Sequence, residues 1–98
     1  MKVRVHWVPA DQGGRTTLPT GNTYSTVARF PEDTHWPEEA WSIVLESVPS
    51  PAEQGSPSIG KVRFLVDEAP QERLRIGRSF DLYEGARRVA TVEVLGTA

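Results

Sequence analysis

The chain has 98 residues, 38% hydrophobic and 24% charged, with a formal net charge of -2 at pH 7 and no cysteine. A chain of this length makes one domain, residues 1–98, with a single core of modest stability. Disulfides, thiolate metal sites and Cys nucleophiles are excluded together, and an acidic balance disfavours a dedicated nucleic-acid domain.

The first element predicted is a strand over "KVRVHWV", residues 2–8, with Val3, Val5 and Trp7 on one face and Lys2, Arg4 and His6 on the other. The chain enters this strand with no apolar signal segment, and nowhere does an apolar run approach the ~18–20 residues that span a bilayer as a helix. A cytoplasmic protein without membrane contact is therefore expected. The Pro- and Gly-rich stretch 9–22 reads as a long loop, and "TYSTVARF", 23–30, as the second strand. Pro31 to Trp41 is a Pro-broken loop in which Pro37-Glu38-Glu39-Ala40 has the composition of one helical turn.

"WSIVLESV", 41–48, is predicted as a strand with Trp41, Ile43 and Leu45 inward and Val44 outward, followed by a Pro/Ser/Gly-rich segment over 49–60. "KVRFLV", 61–66, is the next strand. A turn ending at Gly77 leads into a closing hairpin over 79–95, in which Phe80 and Leu82 oppose Ala90, Val92 and Val94 across a turn at Glu84-Gly85-Ala86-Arg87. Short strands separated by turn residues predict an all-β sandwich or barrel, with barrel closure removing the sheet edges.

Few residues suggest chemistry. His6 and His35 are the only histidines and have no convergent ligand set, so no metal and no cofactor is expected. The acidic pairs Glu38-Glu39 and Asp67-Glu68 read as solvated surface, because adjacent carboxylates on a strand point to opposite faces. No Ser elbow or His-paired nucleophile occurs, and no Gly-x-x-x-x-Gly-Lys-Ser/Thr loop is present, so neither an enzyme nor a nucleotide-binding protein is expected. Gly13-Gly14-Arg15 reads either as an anion cradle or as a flexible turn with an exposed arginine. Trp7 and Trp41 fall in phase with apolar faces, whereas Trp36, in a Pro-bounded loop, is the candidate surface anchor. Residues 1–60 hold four Lys/Arg against seven Asp/Glu, and residues 61–98 hold seven against six, so any basic face belongs to the C-terminal part.

The same residues resemble a known family. Gly13-Gly14-Arg15 after an opening strand, then Pro19, Gly21 and Tyr24 entering the next, resembles the start of the C-terminal barrel domain of elongation factor Tu. "LRIGRSFDLYEGARRVATVEVL", 74–95, is similar to that domain's closing hairpin, with Glu84-Gly85-x-Arg87 and the Val89-Ala90 pair in order. Val92 departs from the pattern, standing where the family has a glycine in its last strand, and so puts a close backbone approach there in doubt. The resemblance implies a closed or partly closed antiparallel Greek-key barrel of about six strands. It also implies that Arg15, Tyr24, Arg87 and Arg88 lie in a region which, in the full factor, helps bind the backbone of aminoacyl-tRNA and contacts other proteins.

The function expected first is a non-enzymatic module binding a protein partner through the loop-rich face that carries Trp36. The alternatives are weak RNA or tRNA backbone binding through Arg15, Arg87 and Arg88, and a small-ligand barrel or hydrolase. Against the RNA reading stands pairing of Arg87 or Arg88 with Glu84, Asp81 or Glu93 across the hairpin.

Overall fold

The computed structural model describes residues 1–15, 23–46 and 57–97. Six strands form: β1 (Lys2–Trp7), β2 (Thr23–Arg29), β3 (Trp41–Glu46), β4 (Ser58–Phe64), β5 (Ser79–Glu84) and β6 (Arg87–Gly96). They pair antiparallel in the order β1-β4-β3-β2-β5-β6, and β6 returns to β1 to close the barrel. Strands β2 to β4 run as a meander and β1 lies beside β4, which is the Greek-key arrangement read in reverse. The all-β barrel expected from sequence is therefore the fold.

Alternation decides what fills the barrel. Val3, Val5 and Trp7 of β1, Ile43 and Leu45 of β3, Val62 and Phe64 of β4, Phe80 and Leu82 of β5, and Val92 and Val94 of β6 all point inward and are buried together. Side chains thus occupy the interior, as in other small barrels. Each fully buried large side chain contributes about 1.5–3 kcal/mol. Phe30 stacks on Phe80 at 4.6 Å and meets Phe64 at 5.6 Å, forming one end of this core. Trp7 packs edge-on against Tyr24 at 5.8 Å at the other.

The closing hairpin has its expected register, with Phe80 opposite Val92 and Leu82 opposite Ala90. Gly85 takes φ 63° in the turn, a conformation that costs glycine least. Between Leu82/Tyr83 the register slips by one residue, and Val89 and Ala90 are both fully buried. This bulge lets the Val89 carbonyl accept the Val8 N–H at 2.9 Å, extending the β1–β6 seam past Trp7. Val92 is fully buried opposite Val5 and Phe80, so a side chain fills the place where a glycine would leave the backbone bare.

Three expectations need correction. β4 begins at Ser58 and ends at Phe64, instead of spanning 61–66. Ser58 and Gly60 resemble loop residues in sequence, but β1 supplies hydrogen-bonding partners for them, with Val5 opposite Ser58 and Val3 opposite Gly60. Leu65 and Val66 leave the ladder and are exposed. Val44, expected outward, is only 3% exposed although it stands apart from the core cluster, in register between Ser25 and Arg63. The helical turn expected at 37–40 is a single turn one step earlier, where the Glu39 N–H donates to the His35 carbonyl at 2.9 Å. The 3₁₀ turns lie elsewhere, at Ala10–Gln12 and Gln71–Arg73. Residues 47 and 48 of the predicted third strand, and the segment 49–56, fall outside the described residues.

Gly14 has no room for a side chain. A β-carbon there would stand 1.8 Å from the Val8 carbonyl oxygen, a backbone atom that cannot rotate away. Gly14→Ala is expected to lower unfolding free energy by about 3 kcal/mol, the upper end of overpacking costs, as read from the urea midpoint at constant m-value. Wild-type stability in that variant would mean the loop after β1 can be displaced.

Candidate functional site

At the barrel end where β1, β4 and β6 bring Trp7, Ser58 and Arg87, alternation turns Tyr24 of β2 and Glu84 of β5 toward the interior mouth. Both stand in phase with buried residues of their own strands, Ala28 for Tyr24 and Leu82 for Glu84. Glu84 Oε2 accepts hydrogen bonds from the Tyr24 hydroxyl and the Arg15 guanidinium, and Glu84 Oε1 accepts one from Arg87 at 3.1 Å. The Arg15 guanidinium also lies over the Tyr24 ring, 5.5 Å from its centroid. Next to this group the Thr26 hydroxyl donates to the Tyr83 carbonyl. Among the described residues Ser58 Oγ is buried without a hydrogen-bond partner.

The glycine loop positions Arg15 by a different route from the one its composition suggests. Gly13 (φ 92°) ends the first 3₁₀ turn and donates to the Ala10 carbonyl, while Gly14 donates to the Pro9 carbonyl at 3.0 Å. Both amides are engaged within the turn. Arg15 in turn is tied to Glu84 and only partly exposed. Neither the anion cradle nor the flexible turn with an exposed arginine describes this loop.

The mouth cluster sets its own protonation. Burial pushes the Glu84 carboxyl upward, but the hydrogen bonds from Tyr24 and Arg15 outweigh it and hold the group below its ordinary value. Burial and then the bond to Glu84 push the Tyr24 phenol up to about 12. At neutral pH the cluster is a carboxylate between two guanidinium groups, and carries net positive charge.

Arg88 and Trp36 lie apart from the mouth, on the outer wall. Arg88 is opposite Tyr83 in the ladder, and opposed residues share a face. Tyr83 follows inward-facing Leu82, so both project outward. Trp36 comes from the loop after β2, beside a cis Trp36–Pro37 peptide, and folds over this wall. Its ring lies 4.5 Å from that of Tyr83, its Nε1 donates to the Ala28 carbonyl at 3.0 Å, and the Arg29 guanidinium stands over it at 5.4 Å. Trp36 is thus half-buried and pinned by its own chain, with its N–H unavailable to a partner.

Of the five residues singled out from sequence, the structure brings Arg15, Tyr24 and Arg87 together on one carboxylate, and Trp36 and Arg88 together through Tyr83. Arg87 takes the cross-hairpin pairing with Glu84. Asp81 instead accepts from Thr91 at 2.8 Å and Glu93 from Arg4 at 2.8 Å. Sequence reasoning did not single out Arg29 and Tyr83. The signal was present for Tyr83, which the tight turn at Gly85-Ala86 sets opposite Arg88. For Arg29 it was not, since only the folded loop brings an indole beneath it.

The opposite barrel end is sealed by a second arginine. Arg73 bonds Asp33 at 2.9 Å, with their side chains 18% and 4% exposed, and lies over the Phe30 ring at 5.4 Å. Asp33 also accepts the Phe30 N–H at 2.8 Å. Near this end two surface hollows open. One of about 440 Å³ is lined by Glu32, Asp33, His35, Glu38, Glu39 and Trp41 among others. The second, about 320 Å³, lies between Arg29, Phe30 and Pro31 on one side and Ser79, Phe80 and Asp81 on the other. His35 Nδ1 lies 3.9 Å from Glu39, but among the described residues no three His, Asp or Glu side chains converge as a metal site would require. Glu38, Glu39, Asp67 and Glu68 are all exposed. Among the described residues no helix is long and apolar enough to cross a membrane.

No protein-family model, no curated protein and no solved structure matches this chain.

Because the Glu84 carboxyl is held low in the fold, its contribution to stability is present above its ordinary value of 4.5 and lost as pH falls through the depressed value. Glu84→Gln is expected to cost about 2 kcal/mol at pH 7, the worth of charge-assisted bonds, and to flatten the acid limb of stability against pH. A urea series from neutral to acid pH checks both. Absorbance titration in alkali is expected to show one tyrosine ionising near pH 12, with that value falling in the Gln variant while the part due to burial persists.

Proposed function

We propose that this barrel is a non-enzymatic binding module whose partner is a protein, and that it is a relative of the third domain of elongation factor Tu. The observation that carries the reading is the outer wall formed by Trp36, Tyr83, Arg29 and Arg88. Trp, Tyr and Arg are the residues that dominate interface energetics, because each combines large contact area with directional polar groups. Here the two rings are locked against each other before any partner arrives, so little side-chain entropy is lost on binding. Side chains occupy the barrel interior, which leaves the outer walls for contact.

RNA-backbone binding is the second reading, supported by the convergence of Arg15 and Arg87 at the mouth. Both guanidinium groups already share Glu84, so a phosphate would have to displace an internal carboxylate. A base stacking on Trp36 would likewise displace Arg29.

Affinity capture from lysate at low and high salt, with nuclease-treated and untreated samples, separates the two readings. The expected result is a discrete protein retained at both salts, insensitive to nuclease, and lost with Trp36→Ala or Arg88→Glu while Arg87→Ala has little effect. Retention that falls steeply with salt, vanishes with nuclease and depends on Arg87 and Arg88 together would overturn the protein reading.

A further inference from the structure

We infer that the outer wall between β2 and β5 takes an acidic segment of a partner protein, with one aliphatic side chain of that segment seated in the groove beside Arg29. The inference rests on the protein-binding reading above and specifies its partner chemistry. The pairing of β2 with β5 runs from Val27 to Arg29 against Tyr83 to Asp81, and there β2 ends while β5 extends on to Ser79. The groove of about 320 Å³ lies at this end of the pairing. Its floor is the edges of Phe30 and Phe80, core residues only 2% and 3% exposed whose rings are stacked and fixed, and exposed Pro31 forms its apolar side. Arg29 stands on one rim and Asp81 on the other.

Charge selects the occupant. Among the described residues Arg29, Arg75 and Arg88 make no ion pair, whereas Arg4, Arg15, Arg63, Arg73, Arg78 and Arg87 each do, and of the three Arg29 and Arg88 lie on this wall. Two guanidinium groups without an ion pair therefore flank the Trp36–Tyr83 pair, Arg29 with Asp81 opposite it in the ladder and Arg88 beside Tyr83, on a protein whose net charge is -2. The mouth cluster adds further positive charge behind them. Carboxylates of the segment pair with Arg29 and Arg88, whose planar forks suit that geometry. Asp81, already accepting from Thr91, keeps an oxygen for a backbone N–H of the docked segment. An apolar segment without acid would leave both arginines unmet, and a basic one would be repelled.

The test is amide and indole N–H NMR of the full chain titrated with a short capped peptide alternating glutamate and leucine. Parallel titrations use a lysine/leucine peptide, an all-glutamate peptide and oligouridylate. Saturable shifts are expected at Arg29, Phe30, Trp36, Tyr83 and Arg88 with the glutamate/leucine peptide, weaker ones with all-glutamate, and none with lysine/leucine. Arg29→Ala and Arg88→Ala, both at exposed positions, are each expected to weaken binding by about fivefold while leaving the spectrum folded. Equal binding of the lysine/leucine peptide, shifts confined to another surface, or a response to oligouridylate in place of peptide would each overturn the inference. If the acidic peptide fails while Trp36-dependent capture of a protein persists, this inference falls alone; if both fail, the protein-binding reading falls too.

Discussion

One mouth of the barrel is tied together by the carboxylate of Glu84. A six-stranded barrel buries a continuous apolar interior but leaves its ends open, and each end must be closed by something that satisfies backbone and water together. Here Glu84 gathers the Tyr24 hydroxyl, the Arg15 guanidinium and the Arg87 guanidinium, so three separate segments of chain meet at one mouth. Trp7 lies beneath against Tyr24 and passes the contact to the core. The far end uses the same chemistry with different residues, Arg73 on Asp33 above Phe30. In both places an arginine covers an aromatic face and pairs with a carboxylate, so its apolar plane and its charge are used at once. Such pairs require each other's presence: removing one member leaves a partly buried charge uncompensated.

Closure at both ends frees the walls. Most strand residues facing outward are small, polar or paired in surface ion pairs such as Arg4–Glu93 and Arg63–Glu46, which add little to stability. Against that background the wall carrying Arg29, Trp36, Tyr83 and Arg88 stands out through its composition. The loop from Pro31 to Ala40 that supplies Trp36 is itself anchored at the end plug, through Asp33 to Arg73 and Glu32 to Arg78. The same plug that keeps water from the core therefore holds the indole in place on the wall.

Much of the fold was legible in the residues, because period-two alternation in β1, β2, β5 and β6 is a direct consequence of strand geometry. The hairpin register followed from Phe80, Leu82, Ala90 and Val92 alone. What was not legible depends on neighbours distant in sequence. Ser58 and Gly60 have no intrinsic claim to a strand, and β1 confers it on them. Val44 is buried although alternation within β3 sets it on the face opposite Ile43 and Leu45. At the site, the family resemblance pointed to Arg15, Tyr24, Arg87 and Arg88 and the Pro-bounded loop to Trp36, but neither divided them between a mouth and a wall. Gly13-Gly14 shows the same limit: its sequence fits an anion turn, yet both amides turn back on Pro9 and Ala10.

The bulge at Val89 has a further effect on the neighbouring pair of arginines. Ala90 faces the interior, so an unbroken ladder would send Arg88 to the mouth and Arg87 to the wall. The extra residue reverses that phase, and two side chains adjacent in sequence exchange environments: Arg87 joins Glu84, and Arg88 faces solvent beside Tyr83. The irregularity acts as a frame shift written into the sheet, and it assigns one arginine to holding the protein together and leaves the other for whatever meets its surface.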